Sequence, residues 1–194
     1  DATASLLFWT KLLLLTDFRV AHVYEDTLYQ RLVFTLSPLH EIGLCPKCGR
    51  ACETVKQRRT REGIRDLSIG TNTVELKIRV NQYTCEHCGH FFTPHIGFLA
   101  DGAHATERFL ERAAQLIRSS DVSNAAKFLG VPERTLDRWY LAWVERQHAA
   151  PAPVPEKPIR RIGIDELSQK KYRQFVAVIV DHDNGRVLEV LENR

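Results

Sequence analysis

Two copies of one five-residue turn constrain this chain more than anything else in it. They are Cys45-Pro46-Lys47-Cys48-Gly49 and Cys85-Glu86-His87-Cys88-Gly89, at the two ends of a basic, strand-like segment. Thiolates three positions apart on a tight turn can both reach one ion, and the glycine lets the backbone fold around the sulfurs. Two such turns supply the four sulfurs of a tetrahedral site, so Cys45, Cys48, Cys85 and Cys88 are the expected ligands of a structural Zn²⁺ ion. Disulfides or free thiols are the competing reading, and cysteine usage of this kind suits a reducing cytosol. A complete four-sulfur shell leaves no open position for water or substrate, so the metal is read as scaffold and not as catalyst. Cys52 reads as a spare thiol, because four better-spaced sulfurs already fill the site. His87, His90 and His95 lie near the second pair and read as surface residues, although an imidazole there can replace a sulfur.

Between the pairs, Lys56-Gln57-Arg58-Arg59-Thr60-Arg61-Glu62-Gly63-Ile64-Arg65-Asp66 reads as a basic turn or flexible loop. Arg58, Arg59, Arg61 and Arg65 on such a loop would neutralise phosphates, adding affinity without reading sequence; solvated surface is the alternative. Next, Val74, Leu76, Ile78 and Val80 alternate with Glu75, Lys77 and Arg79, the period of a strand with one buried face. The segment is thus a hairpin stapled by metal, a zinc ribbon. A unit so small buries little core, so the metal is expected to supply much of its folding energy.

The chain has 194 residues, enough for one large domain or two to three small ones, with an ordinary soluble composition of 44% hydrophobic and 26% charged residues. A net charge of +3 does not by itself establish a nucleic-acid partner, so local clusters must carry that argument. The run from Leu6 to Leu15 is interrupted by Lys11, is too short to span a bilayer and lacks the marks of a signal peptide. It reads as a helix, from about Ala4, packing onto its own domain, and no membrane partner is expected. Phe18 to Tyr24 and Leu28 to Leu36 read as strands. The chain opens on Asp1 without any Met and closes in or just after a strand-like run, Val187 to Leu191, the pattern of a fragment of a longer protein.

Past Phe91-Phe92-Thr93-Pro94 the pattern turns helical. Thr106 can cap a helix reaching Arg118, with Phe109, Ala113, Leu116 and Ile117 on one face. Asp121 or Ser123 can cap a second, ending at Leu129-Gly130, and Pro132 begins a third, to Val144 or beyond. Ala126 allows close crossing, Gly130 makes the tight turn, and Leu136 with Trp139 seats one helix on the other: the helix-turn-helix arrangement, whose second helix enters the major groove. Its outward face would show Glu133, Arg134, Asp137 and Arg138, with Arg134 and Arg138 one turn apart and able to reach a guanine edge or phosphates. An ordinary helical hairpin is the plainer alternative. The Pro-rich stretch 149–158 reads as a stiff linker and a domain boundary.

After the linker, Arg161-Ile162-Gly163-Ile164-Asp165-Glu166, then Tyr172 to Val180, then Arg186 to Leu191 read as three strands, the last two joined by a turn at Asn184-Gly185. The full order is CPKCG, an Arg-rich segment, YTCEHCGHFF, a helix-turn-helix with Trp139, and RIGIDELSQKKYRQFVAVIVDHDNGRVLEVL. It resembles the bacterial insertion-sequence transposases of the ISL-three group, from Phe18 onward and in matching order. That resemblance implies a catalytic domain of ribonuclease-H-like fold opening at the final segment. It places the first aspartate of a DDE triad on Asp165 and the zinc ligands on Cys45, Cys48, Cys85 and Cys88. A complete triad would hold catalytic Mg²⁺. Asp181 and Asp183 belong to the hairpin turn, where aspartate serves local hydrogen bonding, and do not complete the triad. Glu166 points to the other sheet face from Asp165.

The expected fold class is therefore α+β and multidomain. Residues 1–98 hold N-terminal strands and the zinc ribbon, 104–148 the helix-turn-helix, 149–158 the linker, and 159–194 the first strands of a ribonuclease-H-like α/β domain. The implied function is that of a DNA transposase. It would bind the inverted repeats of double-stranded transposon ends and, when full length, catalyse Mg²⁺-dependent cleavage and strand transfer. The alternative is a non-catalytic zinc-ribbon and helix-turn-helix DNA-binding protein, a regulator or transposase remnant. The expected location is the bacterial cytoplasm, at the nucleoid, and the resemblance allows a homodimer on paired ends.

Overall fold

The computed structural model describes residues 2–148, 159–170 and 174–192. They fall into two compact units, Asp1–Gln147 and His148–Arg194. The linker expected at 149–158 lies outside the described residues.

The first unit opens with helix α1 (Ala2–Leu13), followed by strands β1 (Phe18–Asp26) and β2 (Arg31–Pro38), close to the expected positions. Leu14 takes φ 51° and ends the helix before Leu15. Two short strands, β3 (Gly43–Leu44) and β4 (Ala51–Cys52), frame the first cysteine turn. Then come β5 (Val55–Ile69), β6 (Asn72–Thr84) and β7 (Phe91–Phe92). The main sheet runs β1-β2-β6-β5, with β7 also on β6; β2 and β6 are parallel and the other pairs antiparallel.

The basic run expected as a loop is strand β5. Arg58, Arg59, Thr60 and Arg61 register against Asn81, Val80, Arg79 and Ile78 of β6, and Gly63, at φ 70°, sits in the bulge that shifts the register before Ile64. Arginine has no intrinsic strand signal, so the partner strand, with its strict alternation, dictates the conformation. The ribbon is also no isolated unit. Val74, Leu76 and Ile78 of β6 are fully buried with Phe34 and Leu36 of β2, and α1 adds Leu13 and the Trp9 ring, 5.2 Å from that of Phe34. The run near the N-terminus is thus a helix covering its own sheet, as expected, and no helix among the described residues is long and apolar enough to cross a membrane.

Three helices complete this unit: α2 (Glu107–Ser119), α3 (Val122–Leu129) and α4 (Glu133–His148). Thr106 caps α2 by accepting the Phe109 N–H, and Asp121 caps α3 by accepting the Asn124 N–H. Gly130, at φ 61°, ends α3 in the left-handed conformation, and the Val131 N–H returns to the Ala126 carbonyl at 3.1 Å. Ala126, Leu136 and Trp139 are buried together with Phe109, Ala113 and Ile117.

The boundary expected between 98 and 104 separates no compact units, because both sides lie within Asp1–Gln147. The connection is polar and specific. Asp66 of β5 is fully buried and accepts from Thr106 Oγ1 at 2.8 Å and from Arg108 Nε at 2.7 Å; Arg108 Nη2 pairs with its other oxygen. Arg108 Nη1 also reaches the Leu13 carbonyl at 2.7 Å, so one guanidinium joins α2, β5 and the end of α1. Nearby, the Arg65 N–H donates to His104 and the Thr106 N–H to Arg65.

The second unit is an antiparallel sheet of β8 (Ile162–Lys170), β9 (Gln174–Asp181) and β10 (Arg186–Glu192), in the order β10-β9-β8. Asp181 closes the β9–β10 turn: it accepts from the side chain and N–H of Asn184, from the Asp183 N–H and from Arg186. The Asn184 amide, backed by those donors, holds its carboxyl below the usual carboxylate range. That is the local role expected for it.

Candidate metal centre and nucleic-acid interface

Both cysteine turns fold alike because both carry the same backbone pattern. In the first, the Gly49 N–H donates to the Cys45 carbonyl at 2.8 Å and the Cys45 N–H to the Arg50 carbonyl at 2.9 Å. The second repeats this from Gly89 to Cys85 and from Cys85 to His90, at 2.8 and 2.9 Å. Gly49 and Gly89 sit at φ 71° and 69°, where a side chain would be strained.

The four sulfurs of Cys45, Cys48, Cys85 and Cys88 all lie within 4.8 Å of one another. The Cys45–Cys88 and Cys48–Cys85 pairs are 3.6 Å apart. A tetrahedron of sulfurs about 2.3 Å from zinc has edges of about 3.8 Å, so the four fit one Zn²⁺. The same separations are far beyond the roughly 2.05 Å of a disulfide bond, and all five cysteines are free. N–H groups of Cys88 and His87 hold the Cys85 thiol down to about 6, whereas burial and the neighbouring sulfurs push Cys48 and Cys88 up. Cys45 and Cys85 are buried, whereas Cys48 is exposed.

Cys52 is a fifth, buried thiol outside the group of four, and burial pushes it up to about 11. It packs with Tyr83 and Phe92, whose rings stack at 5.8 Å. Gly43 approaches them so closely that a Cβ there would stand 2.9 Å from the Tyr83 ring. The histidines stay outside the sulfur set: His87 Nδ1 meets Arg50 at 3.0 Å, bridging the two turns, and the His90 ring stacks on Phe92.

The arginines between the turns do not share one surface. Arg58, Arg59 and Arg61 are exposed. Arg58 meets Glu41 at 3.1 Å and Arg59 folds onto Gln57. Arg65 is half-buried and donates to the Leu129 carbonyl at 2.7 Å, the last residue of α3. It braces the helices against the sheet. On α4, Glu133, Arg134, Asp137 and Arg138 are all exposed, the outward face expected for them.

Asp165 sits mid-strand on β8 opposite Val178, exposed, with its Oδ1 accepting the Glu166 N–H at 2.8 Å. Among the described residues, the only group of three or more acidic, histidine or cysteine side chains able to hold a metal is the cysteine set. One carboxylate does not make a Mg²⁺ site. Arg19 and Arg79 are also exposed; in sequence Arg79 reads only as the wet face of its strand, alternating with the buried Ile78 and Val80, and Arg19, which precedes the buried Val20, is not singled out.

Residues 43–88 match the family described as the zinc-finger of transposase IS204/IS1001/IS1096/IS1165. The chain is 28% identical over 156 residues to the transposase for insertion sequence element IS1001 of Bordetella parapertussis, covering 79% of this chain and 37% of that protein. It is 53% identical over 30 residues to the transposase for insertion sequence element IS1557 of two Mycobacterium tuberculosis strains, 16% of this chain and 7% of that protein. The chain thus spans well under half the length of the curated relatives it matches. No solved structure matches it.

Proposed function

We propose that this chain, which belongs to the ISL3-type insertion-sequence transposases, binds the double-stranded ends of a mobile element and carries the first carboxylate of its catalytic centre. The observation that carries the binding half is the four-sulfur centre at one end of a hairpin whose outer strand exposes Arg58, Arg59 and Arg61. Zinc fixes the turns, β6 holds the arginine strand straight, and the guanidinium groups meet phosphates. In this reading α3 and α4 form a helix-turn-helix, with Arg134 and Arg138 offered to base edges or backbone in the major groove. Arg65 is left out of the DNA contacts because its guanidinium is committed to Leu129.

The catalytic half rests on β8. In this reading Asp165 is one of three carboxylates that together hold Mg²⁺ for phosphodiester cleavage and strand transfer, the other two lying outside these residues. Consistent with a sheet awaiting further layers, Ile162, Ile164 and Leu167 of β8 and Val187, Val190 and Leu191 of β10 are exposed. The order β10-β9-β8 of consecutive antiparallel strands suits the opening of a ribonuclease-H-like domain.

The test uses the full-length transposase with its own element ends. Asp165→Asn is expected to bind the ends like wild type while strand transfer falls to background. Normal strand transfer by that variant removes Asp165 from the catalytic set, and failure of the wild-type protein to bind the ends removes the DNA-binding assignment.

A further inference from the structure

The open face of the main sheet holds a second cluster of arginines, and the strand registers put them in one row. Arg19 of β1 stands opposite Ser37 of β2. Leu36 stands opposite Ile78, so Ser37 is level with Arg79 of β6, whose Nη1 approaches Ser37 Oγ at 3.5 Å. Arg79 in turn stands opposite Thr60 of β5. Side chains alternate across a strand, and Val20, Leu36 and Ile78 are buried in the core. Arg19, Ser37, Arg79 and Thr60 therefore share the opposite, open face.

These residues line one groove together with Arg58, so that Arg19, Arg58 and Arg79 face a single acid, Glu41; Arg59, beside Thr60 in the strand, turns its guanidinium the other way onto Gln57. Three guanidiniums against one carboxylate leave this face with a local excess of two positive charges. Hydroxyls of Ser37 and Thr60 stand between the guanidiniums. A flat face bearing spaced guanidiniums and hydroxyls suits a chain of phosphates, which takes charge from arginine and hydrogen bonds from both. Glu41 lies 3.1 Å from Arg58, with both side chains mostly exposed at 60% and 67%. An ion pair so exposed is held weakly, and its carboxylate stands where an incoming phosphate oxygen would go.

We infer that this groove is a phosphodiester-binding track for duplex DNA, in which Arg19 and Arg79 grip the backbone and Glu41 is displaced from Arg58 by a phosphate. The inference rests on the DNA-binding reading above and shares Arg58 with it, but assigns Arg19, Arg79 and Glu41 and a sheet face that reading does not use. Its contacts are with backbone only, so the track contributes affinity and register without sequence preference.

The test measures binding of the zinc-loaded chain to a mixed-sequence duplex over a series of salt concentrations. For Arg19→Gln/Arg79→Gln, loss of two phosphate contacts is expected to flatten the slope of log K against log salt by about 1.8, with zinc content and circular dichroism unchanged. Glu41→Gln, an exposed change that leaves the fold alone, is expected to tighten binding severalfold by freeing Arg58. Wild-type binding with an unchanged slope in the double variant, or an unchanged or weakened affinity in Glu41→Gln, overturns the track while leaving the DNA-binding reading intact. A wild-type chain with no affinity for the duplex overturns both.

Discussion

Five thiols crowd the ribbon, and their positions divide the labour between four ligands and one packing residue. Cys45, Cys48, Cys85 and Cys88 converge within 4.8 Å, whereas Cys52 points its sulfur at the Arg50 carbonyl, 3.5 Å away, beneath the stacked rings of Tyr83 and Phe92. Burial keeps that thiol protonated, with its value raised to about 11, and a thiol is a poor ligand. Cys52→Ala is therefore expected to retain one zinc per chain, and Cys45→Ser/Cys85→Ser to retain none, as measured by metal analysis after gel filtration. Loss of zinc from Cys52→Ala would place that sulfur among the ligands. The two knuckles were fully legible beforehand because ligand spacing is written in adjacent residues and the turn needs only its glycine. The role of Gly43 was not, because nothing near it in sequence announces the Tyr83 ring, forty residues away, against which it packs.

At the level of elements, β5 shows how a strand can be hidden from a sequence reading. Its residues from Lys56 to Gly63 are exposed on both faces, so no alternation of apolar and polar types marks them, and Gly63 imitates a turn. The information sat instead in β6, whose Val74, Leu76, Ile78 and Val80 specify one buried face and so the register of whatever pairs with it. The helices were legible for the opposite reason: Thr106, Asp121 and Gly130 are local caps, read without knowledge of any partner. What locality cannot disclose is Asp66, an acid at the end of a basic run. Its carboxylate is fully buried and shared by Thr106 and Arg108, tying β5 to the start of α2. Breaking a buried pair strands a charge, at a cost of about 3 kcal/mol or more. Asp66→Ala is expected to lower the stability of this unit by about that amount in urea unfolding, by leaving Arg108 unpaired and Thr106 without its acceptor. A change under about 0.5 kcal/mol, the usual range for surface substitutions, would show that the staple carries no weight.

For the molecule as a whole, the shared sheet alters what zinc does. A ribbon standing alone would unfold without its metal, since thiolate coordination is then most of its folding free energy. Here β5 and β6 run on from the cysteine turns into a sheet with β1 and β2, over a core of Phe34, Leu36, Val74, Leu76 and Ile78 that includes no cysteine among the described residues. Tyr83, Phe92 and the cysteines form a separate cluster. Two cores joined by one pair of strands can lose order independently, the distal one at lower free energy. Chelation is therefore expected to melt the knuckles and leave the sheet. In hydrogen exchange, protection of the Cys45, Gly49, Cys85 and Gly89 amides should vanish in a strong chelator, while the strand amides of Phe34, Leu76 and Ile78 stay protected. Acidification should do the same, because zinc leaves as its thiolates protonate. The β5 arginines register with β6 residues above that surviving core as far as Asn81, so zinc removal should weaken duplex binding without abolishing it. Loss of protection throughout the sheet on chelation would mean that the metal, not the apolar core, holds this unit together.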